Sequence, residues 1–273
     1  MPELNLPPDI VLADTATKLG DRAKGGVIVT GSHGGSYAAY LTLKAHPRGV
    51  IHNDAGVGKD EAGIAVIPMA EALGVAAATI SHTSSRIGDA ADMMVRGVVS
   101  RANAQARALG VTASMSGREA ALLLVGARVT GRDPAPCEEA RRVLENAGWR
   151  RRIVLIDSAS LIAPEDAGQI IVTGSHGALV GGSAQMALRV DGFAAVFSDA
   201  GVGADGAGIT RLPALDTRGI AGLTVSAASA RIGDAASLYA DGLISHANAT
   251  ARRLGAHPGE PLQERLQRWA TLA

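Results

Sequence analysis

Val27-Ile28-Val29-Thr30-Gly31-Ser32-His33-Gly34-Gly35 is the stretch whose reading decides the fold. A β-branched run favours a strand, and the glycines that follow end it. The next segment, Ser36 to His46, has helical character and is stopped by Pro47 and Gly49. The pattern therefore predicts a strand, a tight turn carrying His33, and a helix, which together begin a βαβ unit. The same pattern returns as Ile170-Ile171-Val172-Thr173-Gly174-Ser175-His176-Gly177-Ala178.

The recurrence extends well beyond the turn. Ile10-Val11-Leu12-Ala13-Asp14 matches Ile153-Val154-Leu155-Ile156-Asp157, and Asp54-Ala55-Gly56-Val57-Gly58 matches Asp199-Ala200-Gly201-Val202-Gly203. Arg86-Ile87-Gly88-Asp89-Ala90-Ala91 returns as Arg231-Ile232-Gly233-Asp234-Ala235-Ala236. From His52 and Phe197 onward the halves align without a gap for about 60 residues, roughly half of them identical. The chain is read as a fused duplication. Residues 1–127 form α/β repeat 1, 128–150 a helical connector, and 151–273 α/β repeat 2 with a C-terminal helix. Strands alternating with helices predict two tandem three-layer α/β repeats with mainly parallel sheets, Rossmann-like or flavodoxin-like in style.

Local signals place the remaining elements. Pro68 and Gly74 bracket a short helix, and Val75 to Ser81 reads as a strand. Asp89, with Asp92 three residues on, predicts a helix N-cap. Met94, Val98, Ala102, Ala106 and Leu109 then share a face up to Gly110, which predicts one long helix. A helix over Gly117 to Val125 closes repeat 1. Its counterpart is a C-terminal helix with Leu262, Leu266, Trp269 and Leu272 on one face. Pro136, Glu138, Glu139 and Gly148 predict the connector helix, with Cys137 on its first turn.

Composition narrows the function classes. The 273 residues carry 26 basic and 26 acidic side chains, so no net field points to nucleic acid or an anionic membrane. A single cysteine fits a reducing compartment, and no apolar run approaches the roughly 20 residues of a membrane span. With no signal peptide at Met1-Pro2-Glu3-Leu4-Asn5, a cytoplasmic protein is expected. Alanine-rich helices make a homo-oligomer a reasonable expectation.

Three loops per repeat follow strand ends and should open on one edge of a parallel sheet, where α/β proteins assemble their sites. They are Gly31–Gly35, Asp54–Gly63 and Ser81–Asp89, with Gly174–Ala178, Asp199–Gly208 and Ser226–Asp234 as counterparts. His33 is read as a general base, or with Asp54 as ligand to a divalent metal; the alternative is a turn histidine bonded to nearby backbone. Asp54 would orient it or activate water, unless it starts an Asx turn. Gly31, Ser32 and Gly34 leave room for a ligand, and the Gly56 and Gly58 backbone would hold an oxyanion. Arg86 and Arg231 are candidate clamps for a carboxylate, or else partners in structural ion pairs. Asn103 and Asn248 are read as structural. His176 and Asp199 complete the symmetric set. Polar residues found only in repeat 1, namely Lys59, His82 and Ser85, favour a site mostly in that half.

A strand ending in Ser-His-Gly, followed by one ending in Asp-Ala, is similar to the arrangement of caspase-type cysteine peptidases. That resemblance implies a thiol after the second strand. Gly56 and Gly201 stand there instead, and Cys137 lies in the connector, so the chain is not assigned to that family. No dinucleotide, Walker or nucleophile-elbow motif is present, and no cofactor is expected. The sequence is read as an enzyme acting on a small anionic metabolite, hydrolysing a C–N bond by His/Asp acid–base chemistry. The alternatives are a lyase or isomerase on a small carboxylate, or a non-catalytic anion-binding subunit.

Overall fold

A computed structural model describes residues 5–182 and 184–273. The reading of the first four residues as no signal peptide lies outside them. The chain forms two α/β units, each a mostly parallel sheet with helices on both faces. Unit 1 takes the chain through Gly56, then Glu61–Cys137 and Gly203–Asp205; unit 2 takes Val57–Asp60, Glu138–Val202 and the chain from Gly206. The units thus follow the repeats except for two short loop segments.

In repeat 1 the elements are β1 (Ile10–Ala13), β2 (Val27–His33), α1 (Ser36–Lys44), β3 (Gly49–Asn53), α2 (Val66–Leu73) and β4 (Ala76–Ile80). They continue as α3 (Ala90–Val95), β5 (Val99–Ala102), α4 (Ala104–Ala108) and α5 (Gly117–Leu124). The sheet order is β1-β2-β3-β4-β5, with only β5 antiparallel. Side-chain alternation along the strands makes the layers. Ile28, Val50 and Ala77 pack with Ala39 and Leu43 of α1 and Val66 and Ala70 of α2. Val29, Ile51 and Ala78 pack on the other face with Met93, Met94, Ala120 and Leu124 of α3 and α5.

Repeat 2 comprises β6 (Arg141–Leu144), β7 (Ile153–Ile156), β8 (Ile170–His176), β9 (Ala194–Ser198), α6 (Arg211–Asp216) and β10 (Ala221–Val225). It ends with α7 (Ala235–Asp241), β11 (Ile244–Ala247), α8 (Ala249–Arg253) and α9 (Leu262–Thr271). Its order, β11-β10-β9-β8-β7-β6, is again sequential. Neither sheet has a reversal of strand order. The site must therefore be located from the loops at the carboxyl ends of parallel β2, β3 and β4 and of their counterparts.

Three expected elements differ. The long helix from Asp89 breaks into α3, β5 and α4, because β5 adds antiparallel to β4. Gly97 makes the break possible: a Cβ there would lie 2.2 Å from the Met93 carbonyl oxygen. Asn103 is not mid-helix but the N-cap of α4, and its side chain also bonds Ala77 N–H and Val75 C=O. The connector carries no helix. Residues 141–144 form β6, whose backbone groups find partners on the outer edge of β7, and Arg141 pairs with the buried Asp166. Tertiary pairing here overrides the helix-start pattern around Pro136. In the C-terminal helix Leu262, Leu266 and Trp269 are buried as expected, while Leu272 lies beyond α9 and is 38% exposed. Among the described residues no helix is long and apolar enough to cross a membrane.

Candidate functional site

The loop after β3 begins with a backbone conformation that few residues accept. Ala55, Gly56, Val57 and Gly58 all have positive φ, between 48° and 76°, and Ala200 to Gly203 repeat the run at 49° to 75°. A β-branched residue in the left-handed region is disfavoured by roughly 1–2 kcal/mol. The preceding side chains hold the turn. Asn53 Oδ1 accepts the Ala55 N–H at 2.9 Å, and Asp54 Oδ1 accepts the Gly56 N–H at 3.1 Å. Ser198 and Asp199 do the same for Ala200 and Gly201.

Asp54 is only 3% exposed, and its carboxylate reaches across to the loop after β4. There Oδ1 accepts the backbone N–H of His82 and the imidazole Nδ1–H, each at 2.8 Å. A carboxylate can only accept, so Nδ1 carries the proton and Nε2 of a neutral His82 keeps a free lone pair. Burial works to raise the Asp54 pKa, but the hydrogen bonds and charge of His82 outweigh it and hold the carboxyl below its ordinary range. The His82 side chain remains 22% exposed. In repeat 2 Asp199 makes the matching backbone bond to Ala227, where no imidazole exists. The Asp–His pair is therefore a property of repeat 1 alone.

His33 sits differently from the expectation. Its Nδ1 accepts the Gly35 N–H at 3.0 Å, and desolvation pushes its pKa down to about 4. The ring is neutral at physiological pH with its proton on Nε2, a donor rather than a base. Asp54 Oδ1 takes its bonds from the Gly56 N–H, the His82 N–H and the His82 imidazole. His176 Nδ1 accepts from Ala178 in the same way. His52, which the sequence reading passed over, is fully buried; its Nδ1 donates to the His33 carbonyl and its Nε2 lies 3.0 Å from Thr42 Oγ1.

The glycines serve packing. A Cβ on Gly31 would lie 2.6 Å from the Asp89 nitrogen, and one on Gly34 would lie 2.7 Å from the Gly63 carbonyl oxygen. The room foreseen for a ligand is filled by these loops. Ser32 Oγ accepts the Ala16 N–H. The Gly56 N–H, expected to face an oxyanion, is taken by Asp54. In unit 2 a Cβ on Gly58 would lie 3.0 Å from the Ala227 carbonyl oxygen. Lys59 Nζ pairs with Asp241 at 2.9 Å, also in unit 2, rather than joining the Asp54–His82 pair.

The two clamp candidates are already occupied by carboxylates. In unit 1 Arg86 binds Asp89 through Nε and Nη2, with Asp92 and Asp205 alongside. In unit 2 Arg231 binds Asp234 and Asp60. Asp89 also caps α3 through the Asp92 N–H. Ser85 is fully buried, with an Oγ that makes no hydrogen bond among the described residues. No group of three His, Cys, Asp or Glu among those residues could hold a metal ion. Comparison with protein-family models, with curated proteins and with solved structures finds no match in any of the three.

Proposed function

We propose that the chain is an acid–base enzyme in which His82 Nε2 is the working base and Asp54 its orienting carboxylate. The observation that carries this reading is the 2.8 Å bond from the His82 imidazole Nδ1 to a buried aspartate, present in one repeat and absent from the other, where only the backbone bond is kept. A buried carboxylate behind Nδ1 fixes the tautomer and stabilises the imidazolium that forms when Nε2 takes a proton. The reaction best suited to such a pair is hydrolysis of a C–N bond in a small polar molecule, with water as the nucleophile. Nε2 accepts a proton from water as the water oxygen bonds to the carbonyl carbon. The same proton then passes to the departing nitrogen as the C–N bond breaks.

A test is ammonia release from a panel of small primary amides and ureides at neutral pH, with wild type, Asp54→Asn and His82→Ala. Turnover by the wild type that falls by about 10²–10⁴ in His82→Ala supports the reading. Equal turnover in both, or none by the wild type, contradicts it. Asp199 makes the same backbone bonds with Ala227 opposite, so on a second reading the aspartate serves first as a loop staple and His82 would only brace it. On that reading His82→Ala loses stability but no activity.

A further inference from the structure

Arg211 is a buried cation that the acid–base reading does not use. Its Nε donates to the Ala178 carbonyl at 3.0 Å, and Nη1 donates to those of Ala187 at 2.6 Å and Met186 at 3.4 Å. The guanidinium lies 4.8 Å from the centre of the Phe197 ring, and the residue is 7% exposed. No carboxylate among the described residues pairs with it. Arg86, Arg96, Arg141 and Arg231, by contrast, each pair with at least one aspartate. Desolvation pushes the Arg211 pKa down to about 10, so it still carries its charge at neutral pH. A charge taken out of water without a counter-charge carries a large desolvation penalty.

The fold does not require the charge. Repeat 1 has Val66 at this position, with the same backbone bond: Val66 N–H to Gly34 C=O at 2.7 Å, Arg211 N–H to Gly177 C=O at 2.9 Å. Arg211 also compensates for a local difference. Where repeat 1 has α1, repeat 2 has short 3-10 turns, and the guanidinium ties their carbonyls. That accounts for Nε and Nη1 but not for Nη2, which donates to no described residue. An uncommitted Nη2 amino group on a charged guanidinium is a donor for an oxyanion.

We infer that Arg211, beside the Gly177–Ala178 turn, forms a binding site in unit 2 for the oxyanion group of a small ligand, a carboxylate or a phosphate. Arg86 and Arg231, already neutralised, are not that site. Arg211 and the Asp54–His82 pair belong to different units, so the failure of one proposal leaves the other standing.

The test titrates the full chain with inorganic phosphate and, separately, acetate at constant ionic strength, with chloride as the control. Saturable shifts are expected in the backbone amide resonances of Gly177, Ala178 and Arg211. Tm should rise by about 5 °C at a hundredfold excess over Kd. Arg211→Met should lose both responses, and Arg211→Lys should keep a weaker one. A response to phosphate alone would identify a phosphate site, and a response to acetate a carboxylate site. If neither anion moves the wild-type amides, or if Arg211→Met responds as the wild type does, the proposal fails. The wild-type titration decides even if Arg211→Met does not fold.

Discussion

Asp54 and Asp199 staple the same left-handed turn, yet only Asp54 has an imidazole against it. The stability of the two substitutions should therefore separate. His82→Ala installs the residue that repeat 2 already carries, and should cost about 1 kcal/mol or less by urea unfolding. Asp54→Ala strips three N–H groups of one acceptor and should cost about 3 kcal/mol. Equal losses would mean that the imidazole, not the carboxylate, holds the loop. His52 supplies a pH test. Burial pushes its pKa from 6.5 down to about 4, so the unfolded chain binds the proton more readily. Its contribution is complete above pH 6.5 and falls as pH drops through the window to 4, by about 3 kcal/mol. Unfolding measured between pH 7 and 4 should show a shallower decline in His52→Gln; an unchanged slope would exclude His52 as its source. His82 and Asp54 were both named from sequence, but their pairing was not. Which histidine meets the aspartate depends on the path of the Ser81–Asp89 loop, and no local pattern encodes that path.

Most elements that announce themselves by caps and breakers were legible. Gly74 ends α2 with φ 72°, Asp89 caps α3, and Ser116 with Glu119 forms the capping box of α5. Elements made by tertiary pairing were not. β5 and β6 exist because β4 and β7 offer edges, and apolar spacing alone reads β5 as more helix. The left-handed turns also escaped, because Val57 and Val202 occupy a region that sequence rules reserve for glycine. Relief of that strain, about 1–2 kcal/mol, competes with roughly 0.5–1 kcal/mol of added chain entropy. Val57→Gly and Val202→Gly should each stabilise the chain by up to about 1 kcal/mol in denaturant unfolding. A loss of that size would show that valine packing outweighs the strain.

At the scale of the whole molecule, two α/β units carry recurring sequence and differ at particular side chains. Repeat 1 has an imidazole, His82, where repeat 2 has Ala227, and repeat 2 has a guanidinium, Arg211, where repeat 1 has Val66. The first difference was visible by comparing the halves. The second is equally present in the sequence, as Arg211 against Val66, but a lone arginine opposite a valine carries no local pattern that marks a site. Ala227→His should rebuild the pair against Asp199 and add one hydrogen-bonded imidazole N–H resonance to those expected from His52 and His82. Its absence would show that the Asp199 loop does not admit the ring. The central claim, that His82 is the base, is tested most directly by chemical rescue of His82→Ala on whichever small amide the wild type hydrolyses. Turnover should collapse in the variant and return saturably as free imidazole is added. Undiminished turnover in His82→Ala without imidazole would contradict it.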